Sequence, residues 1–186
     1  MPRNWRCLSA VIISLCLVAE GSETARADES STAIVAAFQT NCTSELPNFA
    51  RIEGKAAAEN LPVNIDAGTP RQAEGFFNHL KSWVVQPTTG VYELSAIEAR
   101  GPAGEFAACA ITAPGPEGEA VKQDLVRALN LGSPEREGVS EDGARRTSRW
   151  RVEIQGERVT LLLIDGTPAH GSGVYLYVAH QLTPGS

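Results

Sequence analysis

The chain has little of what membrane-spanning and metal-binding proteins carry in quantity. Only four of its 186 residues are cysteine and three are histidine. No two histidines have the spacing of metal ligands and none belongs to a Cys/His cluster, so the sequence predicts neither a metal site nor a cofactor. The longest apolar run, residues 8–19, is about a dozen residues, short of the roughly 20 that a membrane-spanning helix needs. We therefore expect no stable membrane insertion.

Positive charge is also scarce. The chain has 16 Lys and Arg against 22 Asp and Glu, a net charge of −6. An acidic protein repels polyanions, so the sequence predicts no nucleic-acid partner. The one basic cluster, Arg145, Arg146, Arg149 and Arg151, has no interleaved aromatic residue apart from Trp150. We interpret it as a solvated strand edge and turn, with an anion site as the alternative.

Motifs for known catalytic chemistry are missing as well. There is no Gly-x-Ser-x-Gly, Ser-x-x-Lys or His-Glu-x-x-His pattern. Residues 115–118 precede a predicted helix but lack the lysine of a phosphate loop, and Glu117 and Glu119 would repel a phosphate there. The sequence therefore identifies no catalytic residue and favours a binding role over an enzymatic one. A hydrolase with a site assembled from scattered residues remains a further alternative.

Residues 1–27 have the pattern of an export signal. Arg3 and Arg6 precede the apolar run, and Ala25 and Ala27 stand at the two positions that signal peptidase reads. The sequence predicts cleavage near Ala27 and delivery of the protein to the periplasm. An uncleaved anchor and a lipoprotein are the alternatives.

Cleavage leaves residues 28–186 as a single domain with two cysteines, Cys42 and Cys109. Cys42 continues an apolar stripe that repeats every four residues, as in a buried helix face. Cys109 lies in the apolar run 106–112, typical of a buried strand. In an oxidising compartment such a pair predicts a disulfide. Two unlinked buried thiols are the alternative. A catalytic cysteine is disfavoured because neither Cys42 nor Cys109 has a nearby basic residue, Cys-x-x-Cys spacing or a helix-start position that would lower its pKa.

The apolar periodicity predicts an α+β fold. We expect a mainly antiparallel sheet of five to six strands with helices packed on one face, in the order ααα-βββ-α-βββ. The polar stretch 133–146 reads as a mobile loop. The two three-strand sets do not match well enough in sequence to indicate a duplication. The predicted helices are 31–45, 47–61, 69–80 and 117–131, and the predicted strands are 83–85, 91–99, 106–112, 149–154, 159–164 and 174–180.

Tyr175 and Tyr177 alternate with apolar residues in the last predicted strand, so their rings share one sheet face. We identify them, with His170 in the preceding flexible loop, as a candidate binding surface. His79, at the end of the third predicted helix, and His180, at the end of the last strand, are interpreted as surface or boundary residues.

Four short segments, 37–42, 109–115, 125–132 and 150–152, together resemble small exported proteins of proteobacteria that have no assigned function. The resemblance spans most of the chain after residue 27. It implies a single periplasmic domain and transfers no catalytic residue. Combined with the features above, it favours an exported domain that binds an envelope protein. The alternative is a small-ligand binder with a pocket between sheet and helices.

Overall fold

The computed structural model describes residues 30–67, 77–86, 91–101, 104–115, 117–166 and 173–182. The predicted signal peptide, His170 and most of the third predicted helix therefore lie outside the described residues.

Three helices and eight strands make up the described chain. The second helix begins after Asn48, whose side-chain oxygen accepts the Arg51 backbone N–H at 2.9 Å and so caps the first turn. The helices are α1 (residues 30–38, continued by the π-helical turn Gln39–Thr43), α2 (Phe49–Ala58) and α3 (Gly118–Ala128). The strands are β1 (Val63–Ala67), β2 (Phe77–Val85), β3 (Tyr92–Gly101), β4 (Gly104–Pro114), β5 (Arg136–Val139), β6 (Arg145–Ile154), β7 (Glu157–Gly166) and β8 (Gly173–Gln181).

All eight strands join one antiparallel sheet in the order β1-β2-β3-β4-β8-β7-β6-β5. Apolar residues of the three helices share one core with the side chains on one face of this sheet. The predicted α+β class with an antiparallel sheet is thus confirmed. The predicted strand number and order are wrong, because the described order is αα-ββββ-α-ββββ.

The third predicted helix, 69–80, is wrong at its carboxyl end. Residues 77–80 belong to strand β2, which pairs with β1 on one side and β3 on the other. Trp83 and Lys81 face the helices, whereas Leu80 and Ser82 point to the opposite face. Because both faces of β2 mix apolar and polar residues, the strand lacks the alternation that distinguishes strand from helix in a sequence.

Residues 133–146 were predicted to form a loop, and this prediction is wrong for strand β5, which lies within them. All four of its residues are exposed, so no apolar alternation marks it. The strand is held by pairing with β6 and by an ion pair between Glu137 and Lys122 of α3. It is one edge of the sheet, and β1 is the other.

Strand register reveals an internal repeat that sequence comparison missed. Trp83 pairs with Leu94 across β2 and β3, and Leu94 pairs with Ile111 across β3 and β4. The second half contains the equivalent pairs, with each residue 67 positions after its counterpart. Trp150 pairs with Leu161, and Leu161 pairs with Val178. Strands β2-β3-β4 and β6-β7-β8 are therefore structural repeats with the same register, except for an irregularity between Phe77 and His79 at the start of β2.

The two repeats meet around a pseudo-twofold axis. Ala110 of β4 pairs with Tyr177 of β8, its own equivalent 67 positions later, so the axis passes through this pair. Helix α2 contacts β3 and β4, and α3 contacts β7 and β8, as the same symmetry requires. The π-helical end of α1 contacts both central strands, β4 and β8. Helix α1 thus lies near the axis and has no counterpart among the described helices.

The predicted Cys42–Cys109 disulfide is present and joins α1 to β4. The two Cα atoms are 5.3 Å apart and both side chains are fully buried. Phe38, one turn earlier in α1, is also fully buried. The bridge therefore fixes the helix that has no symmetry mate onto the centre of the sheet.

Candidate functional site: the tyrosine face

The sheet face opposite the three helices, which we call the tyrosine face, carries Tyr175 and Tyr177 as the alternation predicted. Cross-strand register places them in two transverse rows. One row runs Arg149–Leu162–Tyr177, and the other runs Thr147–Ile164–Tyr175. Each row passes from a polar residue of β6 through an aliphatic residue of β7 to a tyrosine of β8. Together they form a half-buried apolar strip bordered by positive charge.

The two tyrosine rings stack with their centroids 5.9 Å apart. Burial raises the pKa of Tyr175 above its ordinary value, and the nearby Glu93 carboxylate raises it further. Burial likewise raises the pKa of Tyr177, with a smaller effect from Tyr175. Both phenols therefore remain neutral hydrogen-bond donors throughout the physiological pH range.

An alkaline titration is expected to show late ionisation of all three tyrosines of the chain. Burial raises the pKa of Tyr92 as well, with a smaller effect from Glu59. In the folded protein, phenolate absorbance near 295 nm should appear only above about pH 10, the usual tyrosine value. The chain unfolded in guanidinium should titrate at that usual value.

The same pKa shifts predict how stability changes with pH. Above about pH 10 the unfolded chain loses phenolic protons that the folded protein retains, so the free energy of unfolding falls as pH rises. Below that pH these groups add no pH dependence. Tyr177→Phe should weaken the alkaline loss, and titration curves of folded and unfolded chains that coincide would contradict the prediction.

The predicted basic cluster is divided between the two faces. Arg145, Arg149 and Arg151 lie on the tyrosine face of β6. Arg146 points to the helix face, where its Nε donates to a buried Asp165 carboxylate oxygen at 3.0 Å. The solvated-edge interpretation thus fits the exposed arginines and misses the ion pair that half-exposed Arg146 makes with buried Asp165.

Two further arginines join this surface from neighbouring strands. Arg136 of β5 lies directly opposite Arg149, and Arg158 of β7 lies opposite Glu153. Neither arginine belongs to the sequence cluster 145–151. Strand register places both on the same face of the sheet as that cluster. We call the five residues Arg136, Arg145, Arg149, Arg151 and Arg158 the arginine patch.

The arginine patch is only partly neutralised. Glu135 lies 3.5 Å from the Arg151 Nε and 3.9 Å from an Arg149 terminal nitrogen. The Nε of Arg149 is buried and has no hydrogen-bond partner within the described part of the chain. Like charges directly opposite on a sheet, such as Arg136 and Arg149, are destabilising. The clustering of these arginines is therefore not accounted for by fold stability.

The first repeat carries different chemistry at the equivalent positions. Shifting by 67 residues aligns Arg149 with Ser82 and Arg151 with Val84. Ser82 is fully buried, whereas its equivalent Arg149 exposes 36% of its side chain. A second apolar cluster also occupies the tyrosine face of the first repeat. It contains Ile97, Ala99 and Ala108, packed against Leu80, Phe106, Tyr177 and Ala179.

Two cavities adjoin the second repeat. One, of about 440 Å³, lies between α3 and strands β5 to β7 and is lined by the Lys122–Glu137 and Arg146–Asp165 ion pairs. The other, of about 880 Å³, lies at the sheet end beside Arg145 and Tyr175. Both volumes fall in the range of small-molecule sites.

The remaining histidines are distributed over the helix face. His79 lies in β2 rather than at a helix end, which corrects its predicted position. It is 3.6 Å from a Glu98 carboxylate oxygen, and its ring packs 5.3 Å from that of Phe49. The His180 Nε2 lies 2.8 Å from the Pro47 carbonyl oxygen and so ties β8 to the α1–α2 connection.

Within the described ranges, no three His, Cys, Asp or Glu side chains are grouped so that they could hold a metal ion. Every helix in those ranges is too short or too polar to cross a bilayer. Comparison of the chain with protein-family models, with curated proteins and with solved structures gives no match. Any functional assignment therefore has to rest on the geometry of the site.

Proposed function

We propose that this protein is an exported binding domain of the periplasm whose partner, an envelope protein, docks on the tyrosine face. The observation that carries the proposal is the strip formed by Tyr175, Tyr177, Leu162 and Ile164, bordered by the arginine patch. Aromatic residues and arginine are the residue types enriched in protein interfaces. A half-buried strip of this composition offers a partner apolar area together with directional donors.

Divergence between the repeats supports the proposal. The two halves keep the same buried tryptophans, Trp83 and Trp150, and the same strand register, so the fold constrains both in the same way. On the tyrosine face they differ, with arginines and tyrosines concentrated in the second half. Because shared architecture does not require this difference, we attribute it to binding.

Site-specific photocrosslinking in the periplasm tests the proposal. A benzophenone amino acid at Thr160, on the tyrosine face, should capture a protein partner and yield a discrete adduct. The same probe at Gln123, on the exposed side of α3, is the matched control and should yield none. The proposal fails if Thr160 yields no adduct, or if both positions give the same products.

The second candidate function is binding of a small ligand in the 440 Å³ cavity between α3 and the sheet. The specific observation in its favour is the pair of facing ion pairs that line the cavity. A small-molecule fraction from the envelope should then raise the melting temperature, and Lys122→Met should abolish that rise. A rise that Lys122→Met leaves intact would place the ligand elsewhere.

A further inference from the structure

We infer that the partner presents an acidic, extended polypeptide segment that pairs with β5 as an additional strand and places its acidic side chains beside the arginine patch. This inference rests on the proposed function and specifies the partner's chemistry. It follows from three observations: the local charge, the geometry of the arginines, and the free edge of the sheet.

The local charge is opposite in sign to that of the whole chain. The arginine patch holds five positive charges and faces three acids, Glu135, Glu153 and Asp142, a net charge of +2. Since the chain as a whole is −6, the remaining residues together carry −8. A partner that is anionic over a short segment is attracted to the patch. A long polyanion or an anionic bilayer would also be repelled by the negative charge of the remaining residues.

The arginines form an elongated row rather than a compact anion pocket. Arg145 and Arg151 stand at two ends of one face of β6, about 20 Å apart at the usual strand rise. Arg149 lies between them, and Arg136 extends the row onto β5. Guanidinium groups bind carboxylates through paired hydrogen bonds, so spaced Asp or Glu side chains suit this row.

The edge of the sheet favours a polypeptide over other anionic chains. Strand β5 is the terminal strand of the sheet, and no described strand pairs with its outer side. Its four residues are all exposed, including Val139 at 63%. An extended peptide can add to such an edge through main-chain hydrogen bonds, with alternate side chains directed to one face. Acidic residues at alternate positions would then lie beside Arg136, one strand spacing of about 4.8 Å away, with Arg149 one spacing further.

Fluorescence anisotropy with the purified protein tests this inference. The probe is a short fluorescein-labelled peptide in which Glu alternates with Thr. We expect binding that weakens as salt is added, and about tenfold weaker binding by the exposed-site variant Arg145→Gln/Arg151→Gln. The matched control, Arg100→Gln/Arg127→Gln, removes the same charge from outside the tyrosine face and should bind like the wild type.

A second variant, Arg136→Gln/Arg158→Gln, serves if the first does not fold, and should also bind about tenfold more weakly. Methylation of alternate peptide amides, which keeps the charge and removes main-chain donors, should weaken binding as well. The inference is overturned if the patch variants and the control bind alike, or if the methylated peptide binds unchanged. It is also overturned if a sulfated polysaccharide or phosphatidylglycerol vesicles bind the patch as tightly as the peptide. A Thr160 adduct obtained together with any of these results would leave the proposed function standing.

Discussion

Replacing Cys42 and Cys109 together by alanine is expected to lower the free energy of unfolding by about 4 kcal/mol. The bridge closes a loop with a sequence separation of 67 residues, and the chain-entropy estimate for a loop of that length gives this value. Since small domains are stable by only about 5–15 kcal/mol, the loss is a large share of the total. Alanine is preferred to serine because both positions are fully buried and alanine introduces no polar group there.

Guanidinium denaturation of the oxidised wild type, the reduced wild type and the double-alanine variant measures this effect. The reduced protein and the variant should share a lower midpoint than the oxidised protein. Mass spectrometry of the protein isolated from its host, with and without reductant, gives the state of the bridge and tests the predicted cleavage near Ala27. Two free thiols in the protein isolated without reductant, or an unchanged midpoint after reduction, would contradict the prediction.

Substituting Gly118 by alanine is expected to destabilise the protein by about 2–3 kcal/mol. This is the opposite of the usual effect in a helix, where alanine is more stable than glycine. Gly118 opens α3 directly against Asp165 of β7, and a methyl group there would overlap the Asp165 side chain, its Cβ included. Relief requires the buried carboxylate to move, which disturbs its ion pair with Arg146. Thermal and chemical denaturation report the change.

Gly54 in α2 provides the matched control. It also lies in a helix, but a methyl group there would meet nothing within 4 Å. Gly54→Ala should therefore stabilise the protein by about 0.5–1 kcal/mol. Asp165→Gly, which removes the obstructing Cβ, should make Gly118→Ala tolerable in the double variant. A Gly118→Ala variant as stable as Gly54→Ala would show that the contact with Asp165 is not tight.

The sequence predicted those elements whose apolar residues repeat with a clear period. Strands β3, β4, β7 and β8 alternate or are apolar throughout, and helix α3 has a regular stripe that ends at Leu129. The Cys42–Cys109 pair was predictable because both residues lie on apolar faces of such elements. Such patterns arise because one side of the element is buried, and the spacing of apolar residues along the sequence shows this burial directly.

The errors fall at the margins of the sheet. Strand β2 combines His79, Lys81 and Trp83 on its helix face, and the charged Lys81 is there held by Glu53 at 2.8 Å and Asp66 at 3.3 Å. Strand β5 has no buried residue at all. These strands are held by strand pairing and by ion pairs rather than by one buried apolar face, so local periodicity contains no record of them. Strand register was likewise needed to place Arg136 opposite Arg149 and Arg158 opposite Glu153.

The palindromic strand order has a consequence for how the molecule is built. Strands β4 and β8 pair with each other along their length. Each repeat taken alone would therefore expose one edge of its innermost strand, β4 or β8. A chain holding only one repeat would meet its best complement in another copy of itself, related by a true dyad. Within this chain the two complementary edges meet each other instead, with Ala110 paired to Tyr177 at the centre of the seam. The disulfide at Cys109 lies one residue from that centre and fastens helix α1, which has no symmetry mate among the described helices, over the junction of the two halves.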